Sequence, residues 1–274
     1  MLAWGCPRPE EGRILEISAI LEQYDLCERR EAAFPYYKRE QTDKTTRMIS
    51  LGGADSMISW SALSSDDADE AIEGELGFFK ALGSPFEWKL YSHDRPGDLK
   101  ARLAARGFSI GEDEAIMALD LEELPEALLA QSPHDLRRVS DDRVFADFVE
   151  LNTKAWPEDR HSEARFETIR KTLFEAGDRM SAYVAYVDGL PVCAARVDFP
   201  SASPFASLWG AATLEPFRRR GIYSAILGIR AREAIARGYR FLTIDASPMS
   251  RPIVARHGFR LLAISNPCDS PGPA

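Results

Sequence analysis

The residues best suited to chemistry sit in one stretch, TLEPFRRRGIYSAILGIRAREA, Thr213 to Ala234. Arg218, Arg219 and Arg220 run into Gly221, and Ile222, Ala225, Ile226 and Ile229 follow at helical spacing. Cations at a helix N-terminus are unfavourable, because the terminus already carries partial positive charge. A bound anion reverses that balance. A strand over 206–214, a glycine-containing turn and a helix would aim backbone N–H groups and the positive helix end at one point, which suits a phosphate. Gly221 has no Cβ, so a ligand can approach the backbone closely. The competing reading is a solvated arginine cluster. A nucleotide-phosphate module of the GxxxxGK[ST] kind is disfavoured, since that pattern and its lysine are missing.

Acid–base chemistry is harder to place. The strand over 206–214 contains no carboxylate. Asp198 and Asp245, near the ends of neighbouring strands, are the available acids, with solvated strand ends as the alternative reading. Glu215 would face solvent. The four cysteines (Cys6, Cys27, Cys193, Cys268) and four histidines (His93, His134, His161, His257) are scattered without metal-ligand spacing. Neither a metal site nor a disulfide framework is therefore expected.

The elements that must position these residues fall into two series. The first predicts a helix over 13–31, strands over 46–51 and 56–63, a helix over 66–82, a strand over 86–91, a helix over 97–106 and a strand over 114–121. The second predicts a strand over 136–139, helices over 142–156 and 162–176, and strands over 180–187 and 191–199 joined at Asp188-Gly189, a strong hairpin signal. The strand over 206–214 and the quoted helix follow, then a strand over 240–245, a helix over 250–256 and a strand over 260–264. Each series includes strand, loop, helix and a Gly-Phe step: LAARGF ends at Phe108 and VARHGF at Phe259. This echo suggests two related domains; chance recurrence of a helix-ending glycine is the alternative. The expected division is a first domain over 1–124, a linker over 125–135, a second domain over 136–265 and a flexible tail over 266–274.

A length of 274 residues suits two domains, and 45% hydrophobic with 28% charged residues suits ordinary globular cores. A net charge of −9 argues against a general nucleic-acid partner. The N-terminus does not read as a signal peptide, and no apolar run is long enough to span a bilayer. No membrane partner and a cytoplasmic location are expected.

Arg218-Arg219-Arg220-Gly221-Ile222 resembles the acyl-CoA-binding motif of the GCN5-related N-acetyltransferase superfamily. That motif is Arg or Gln, two residues, Gly, one residue, then Gly or Ala. Leu214-Glu215-Pro216 resembles the usual lead-in, and the likeness runs over about residues 136–265. Tyr223 departs from it, standing where a small residue is usual, so its side chain must turn away from the phosphates. The resemblance implies an α/β fold of two tandem domains, each a mixed, mostly antiparallel sheet flanked by helices. It implies acetyl-CoA or another acyl-CoA as co-substrate and no metal. Amides at Ala212, Thr213 and Leu214 would meet the pantetheine arm and acyl group, with Thr213 or Leu214 donating to the oxyanion. Amides from Arg219 through Arg220, Gly221, Ile222 and Tyr223 to Ser224, beside Arg218, would hold the pyrophosphate.

The resemblance also implies an amine that attacks the thioester directly in a ternary complex. Many members carry a proton-donating tyrosine where this chain has Val254, and an asparagine where it has Ser247. Ser247 and Ser250 are thus candidates for contacting pantetheine or protonating sulfur, with turn and N-cap roles as the alternative. Asp245 joins them as a catalytic candidate. Trp209 and Arg196 are candidates for lining the acceptor cleft, where a core Trp and a surface Arg are the plain alternatives. The first series lacks the anion motif: its helix opens SSDDADEAIEGE, whose carboxylates would repel a pyrophosphate. A degenerate first domain is expected, supporting the second or shaping its acceptor site. The expected activity is N-acetylation of a small-molecule or peptide primary amine. A non-catalytic acyl-CoA sensor or scaffold is the competing function, and the oligomeric state is not legible.

Overall fold

The computed structural model describes residues 16–52, 56–157 and 162–272. Expectations that fall on Cys6, His161 and the first residues of the 13–31 helix lie outside them. The chain opens with α1 (Ile17–Tyr24), a π-helical turn (Asp25–Arg30), β1 (Tyr37–Gln41), β2 (Thr45–Ser50) and β3 (Ser56–Ser61). It continues through α2 (Ala68–Leu82), β4 (Phe86–Tyr91), α3 (Leu99–Ala105), β5 (Ser109–Ile110) and β6 (Glu114–Asp120). Next come α4 (Glu126–Leu129), β7 (Asp135–Arg138), α5 (Asp142–Ala155), α6 (Ser162–Glu175), β8 (Met180–Val187) and β9 (Leu190–Asp198). The last elements are β10 (Phe205–Thr213), α7 (Ile222–Ala236), β11 (Phe241–Ala246), α8 (Arg251–Ala255) and β12 (Arg260–Asp269). The β8–β9 hairpin closes on Asp188 (φ 51°) and Gly189 (φ 78°), the two positive-φ positions such a turn needs. Cys193 and Cys268 are free and buried; Cys27 is in a disulfide, which the sequence did not lead us to expect.

The strands form one sheet in the order β1-β2-β3-β4-β12-β6-β11-β10-β9-β8-β7, with β5 also pairing β12. Two neighbouring pairs are parallel, β3–β4 and β10–β11. Each is joined by a long helix, α2 or α7, and followed by a short one, α3 or α8. Those short helices lead to Gly107 (φ 84°) and Gly258 (φ 92°), then to buried Phe108 and Phe259. The two Gly-Phe steps therefore hold equivalent places. The last strand of each series crosses over: β6 pairs with β11, and β12 lies between β4 and β6. Residues 266–269 thus belong to β12 rather than to a flexible tail. Cys268 is fully buried opposite Trp88.

The expected linker is packed as well. Leu128 of α4 is buried in the core beside α7, and Arg232 Nη1 donates to Leu128 O (2.9 Å) and Ala130 O (3.0 Å). A Cβ on Gly228 would lie 2.8 Å from Leu128 O. Gly228→Ala is therefore expected to lower stability by about 1–3 kcal/mol, read by denaturant unfolding.

Strand register decides which side chains share a face. One face packs α2, α3, α4, α7 and α8; Ile264 and Cys268 of β12 both point to it. The other packs α1, α5 and α6. On this second face Glu87 and Lys89 (β4), Glu114 (β6), Asp245 (β11), Trp209 (β10) and Arg196 (β9) follow one another across the sheet.

Candidate functional site

Helix α7 starts with Gly221 at φ 76° as its N-cap, after Arg219 at φ 62°. Its first intrahelical bond runs from the Ala225 N–H to Gly221 O (2.9 Å). The amides of Ile222, Tyr223 and Ser224 therefore have no acceptor within the helix, and no side chain caps it. Arg218 Nε donates to Thr213 O (3.1 Å), tying the arginine run to the end of β10. Arg219 and Arg220 are exposed. Tyr223 packs its ring against the core, with its hydroxyl buried and without a protein hydrogen-bond partner, so burial raises its pKa. Only its backbone is left for the helix terminus.

Two histidines that look scattered in sequence meet here. His257 Nε2 hydrogen-bonds Ser224 Oγ (3.0 Å), and a Cβ on Gly221 would lie 3.7 Å from His134 Nε2. Burial and the neighbouring Arg256 hold His257 below the usual histidine pKa. No local pattern signals that both reach the start of α7, because they come from the turn after α8 and the α4–β7 connection.

Strands β10 and β11 pair in parallel from Phe205–Phe241 to Leu208–Ile244 and then part. β10 bulges against β9 between Trp209 and Ala212, with Gly210 at φ 59°. A bulge bends its strand, and here it accompanies the opening of a gap beside β11. The Leu214 N–H donates to Val192 O (2.9 Å). Alternate strand residues direct their amides to opposite neighbours, so Ala212 shares that direction and Thr213 faces the gap. This corrects the expectation of three available amides: Leu214's is spent on β9, Ala212's points the same way, and Thr213's remains.

Ser247 and Ser250 form the turn after β11, with Ser247 exposed. Their hydroxyls are 3.2 Å apart, and the Ser250 N–H donates to Ser247 O (3.0 Å). The Ser250 side chain does not cap α8. Val254 is fully buried.

On the opposite face the gap borders a cavity of about 850 Å³ lined from both series. Leu208, Trp209 and Gly210 contribute from β10, Ile244 and Asp245 from β11, and Arg196 from β9. The first series supplies Tyr24, Glu28, Tyr36, Glu87 and Lys89. Trp209 and Arg196 thus both reach the cavity, with the guanidinium carbon 5.7 Å from the indole centroid and Trp209 Nε1 buried without a hydrogen-bond partner. Asp245 reaches it too, but is ion-paired to Lys89. Burial alone would depress the Lys89 ammonium; Asp245, Tyr91, Glu87 and Glu114 outweigh it and hold the group above its usual value. Lys89 was invisible as a site residue in sequence, because β4 lies in the other series.

Burial, with Glu114, Asp269 and Asp245 nearby, raises the Glu87 carboxyl from 4.5 to about 7, against the pull of Lys89. A carboxyl raised by folding stabilises the protein below its unfolded pKa, and that contribution is lost as pH climbs through the folded one. Glu87→Gln is therefore expected to melt roughly 2–5 °C above wild type at pH 8 and level with it at pH 4.5. Among the described residues no group of three His, Cys, Asp or Glu side chains is arranged to hold a metal. No described helix is long and apolar enough to cross a membrane.

No protein-family model matches the sequence, and no curated protein matches it. Solved structures do match over most of its length. A functionally unknown conserved protein from Staphylococcus epidermidis is 16% identical at TM-score 0.67, covering 88% of this chain and 96% of its own. A GCN5-related N-acetyltransferase from Kribbella flavida is 16% identical at TM-score 0.63, covering 93% and 94%. A tandem GNAT protein from the clavulanic acid biosynthesis pathway is 13% identical at TM-score 0.56, covering 96% and 89%. Likeness at this identity is likeness of fold. The chain has the tandem GCN5-related N-acetyltransferase fold, with its two sheets joined edge to edge as one.

Proposed function

We propose that the protein is an acyl-CoA-dependent N-acyltransferase that moves an acetyl or other short acyl group to a primary amine, on a small molecule or a peptide. The observation that carries this reading is the gap between β10 and β11. It leads from the α7 N-terminus and its arginines on one side to the cavity holding Trp209 and Arg196 on the other. Free amides and Arg218–Arg220 suit a diphosphate, and the Thr213 amide suits the pantetheine arm or thioester oxygen. A thioester bound there supplies an activated acyl carbon. The second series holds that substrate, while the acceptor cavity needs both.

Among the described residues, such a cradle is found in the second series and not in the first. In the first, the corresponding helix α2 opens at Asp67, whose carboxylate accepts the Ser64 N–H (2.8 Å) and pairs with Lys44 (3.1 Å). A carboxylate at that point repels phosphate.

Val254, a buried apolar side chain where a proton donor is usual, favours a second reading: an acyl-CoA sensor without turnover. Thiol release from acetyl-CoA separates the two, measured with propylamine, spermidine, lysine and a glycine-terminated peptide. Turnover with any of them supports the transferase. Acetyl-CoA binding with no thiol release supports the sensor.

A further inference from the structure

We infer that Glu28, from the first series, is the group that takes the proton from the acceptor amine; the inference rests on the acyltransferase reading above. β10 carries no carboxylate, and the acids nearest it on the cavity face have other partners. Asp245 is ion-paired to Lys89. Asp198 accepts from Tyr36 Oη (2.5 Å) and lies 3.4 Å from Arg196 Nε. Glu114, two strands from β10, lies 3.9 Å from Lys89, and Glu87 belongs to β4, four strands and so ~19 Å away from β10.

Glu28 reaches β10 directly. It projects from the π-helical turn, is 8% exposed and lines the cavity. Ser203 Oγ donates to one carboxylate oxygen and Ser207 Oγ to the other (3.0 Å). Ser207 pairs with Thr243 one rung before the strands part, and their hydroxyl oxygens are 3.4 Å apart. Glu28 thus stands at the base of the gap through which an acyl group would meet its acceptor. Hydroxyls rather than a cation hold it, so it can pass between charged and neutral forms.

The groups packed around Glu28 agree with that role. Burial raises its carboxyl to about 7 against the two seryl donors, and Asp245 and Asp198 add to the rise. Lys89 and Arg196 partly offset those two acids. Tyr24 lines the cavity with it, Tyr239 is near enough to feel its charge, and burial keeps both phenols neutral. In the step proposed, the Glu28 carboxylate takes one proton from the acceptor ammonium, directly or through one water. The freed nitrogen lone pair forms the C–N bond to the acyl carbon, the C–S bond breaks, and its electron pair leaves on sulfur. The second nitrogen proton ends on that thiolate. Glu28 then returns its own proton to solvent.

The test is thiol release against pH, with the fastest amine of the panel above, for wild type, Glu28→Gln and Ser207→Ala. Acetyl-CoA affinity is measured alongside by calorimetry. Wild-type kcat/KM is expected to fall on the acid side with one ionisation near 7. Glu28→Gln should lose about 100-fold near neutrality, lose that limb, and bind acetyl-CoA as wild type does. Ser207→Ala should still turn over with its limb moved to higher pH, because a donor to the ionised form has gone. An unchanged limb in either variant overturns the inference and leaves the transferase standing. A wild type that binds acetyl-CoA yet turns over no amine overturns both.

Discussion

Gly221→Glu is expected to weaken acetyl-CoA binding by at least about 100-fold, roughly 2.7 kcal/mol. Two effects act together. The residue sits at φ 76°, where an L side chain costs about 1–2 kcal/mol. Its carboxylate would also stand among the amides of Ile222 to Ser224 and take the place meant for a phosphate. Gly221→Ala separates the two, because it carries the backbone strain without the charge. Calorimetry should show Gly221→Ala binding much closer to wild type than Gly221→Glu, with both folded by circular dichroism. Wild-type affinity in a folded Gly221→Glu protein would move the acyl-CoA site elsewhere.

The second large effect concerns the crossed strands. Removing residues 260–272 takes β12 from between β4 and β6 and strips three strands, β4, β5 and β6, of a neighbour. The loss includes buried Leu262, Ala263 and Cys268. Unpaired strand edges of that kind invite aggregation. The truncated chain is expected to lose cooperative thermal unfolding. So is a fragment starting at residue 125, which leaves β11 without β6 and β12 without β4. A fragment from 125 that melts cooperatively near the full-length temperature would show the second series to be an independent unit and would contradict this account.

Local signals carried much of the fold. The hairpin at Asp188-Gly189, the apolar spacing after Gly221 and the paired Gly-Phe steps are governed by neighbouring residues, through positive φ and helical periodicity, and the structure follows them. Strand β1 escaped because YKREQ is a polar, largely exposed edge strand whose only ladder partner among the described residues is β2. Helix α4 and the end of β12 escaped because proline-containing, mixed segments read as connections until tertiary partners bury them.

The strand, turn and helix of the proposed anion cradle were legible for the same reason: one contiguous stretch builds them. The cavity proposed for the acceptor was not. Glu28, Lys89, Trp209 and Asp245 come together only because strand exchange brings β4, β6, β11 and β10 into one sheet and the π-helical turn onto its face. The sequence by itself determined the strand, turn and helix around Gly221 on which the proposed acyl-CoA site rests. Only the tertiary structure decided which carboxylates line the cavity proposed for the acceptor, because burial and long-range pairing set their charge and no local spacing encodes either.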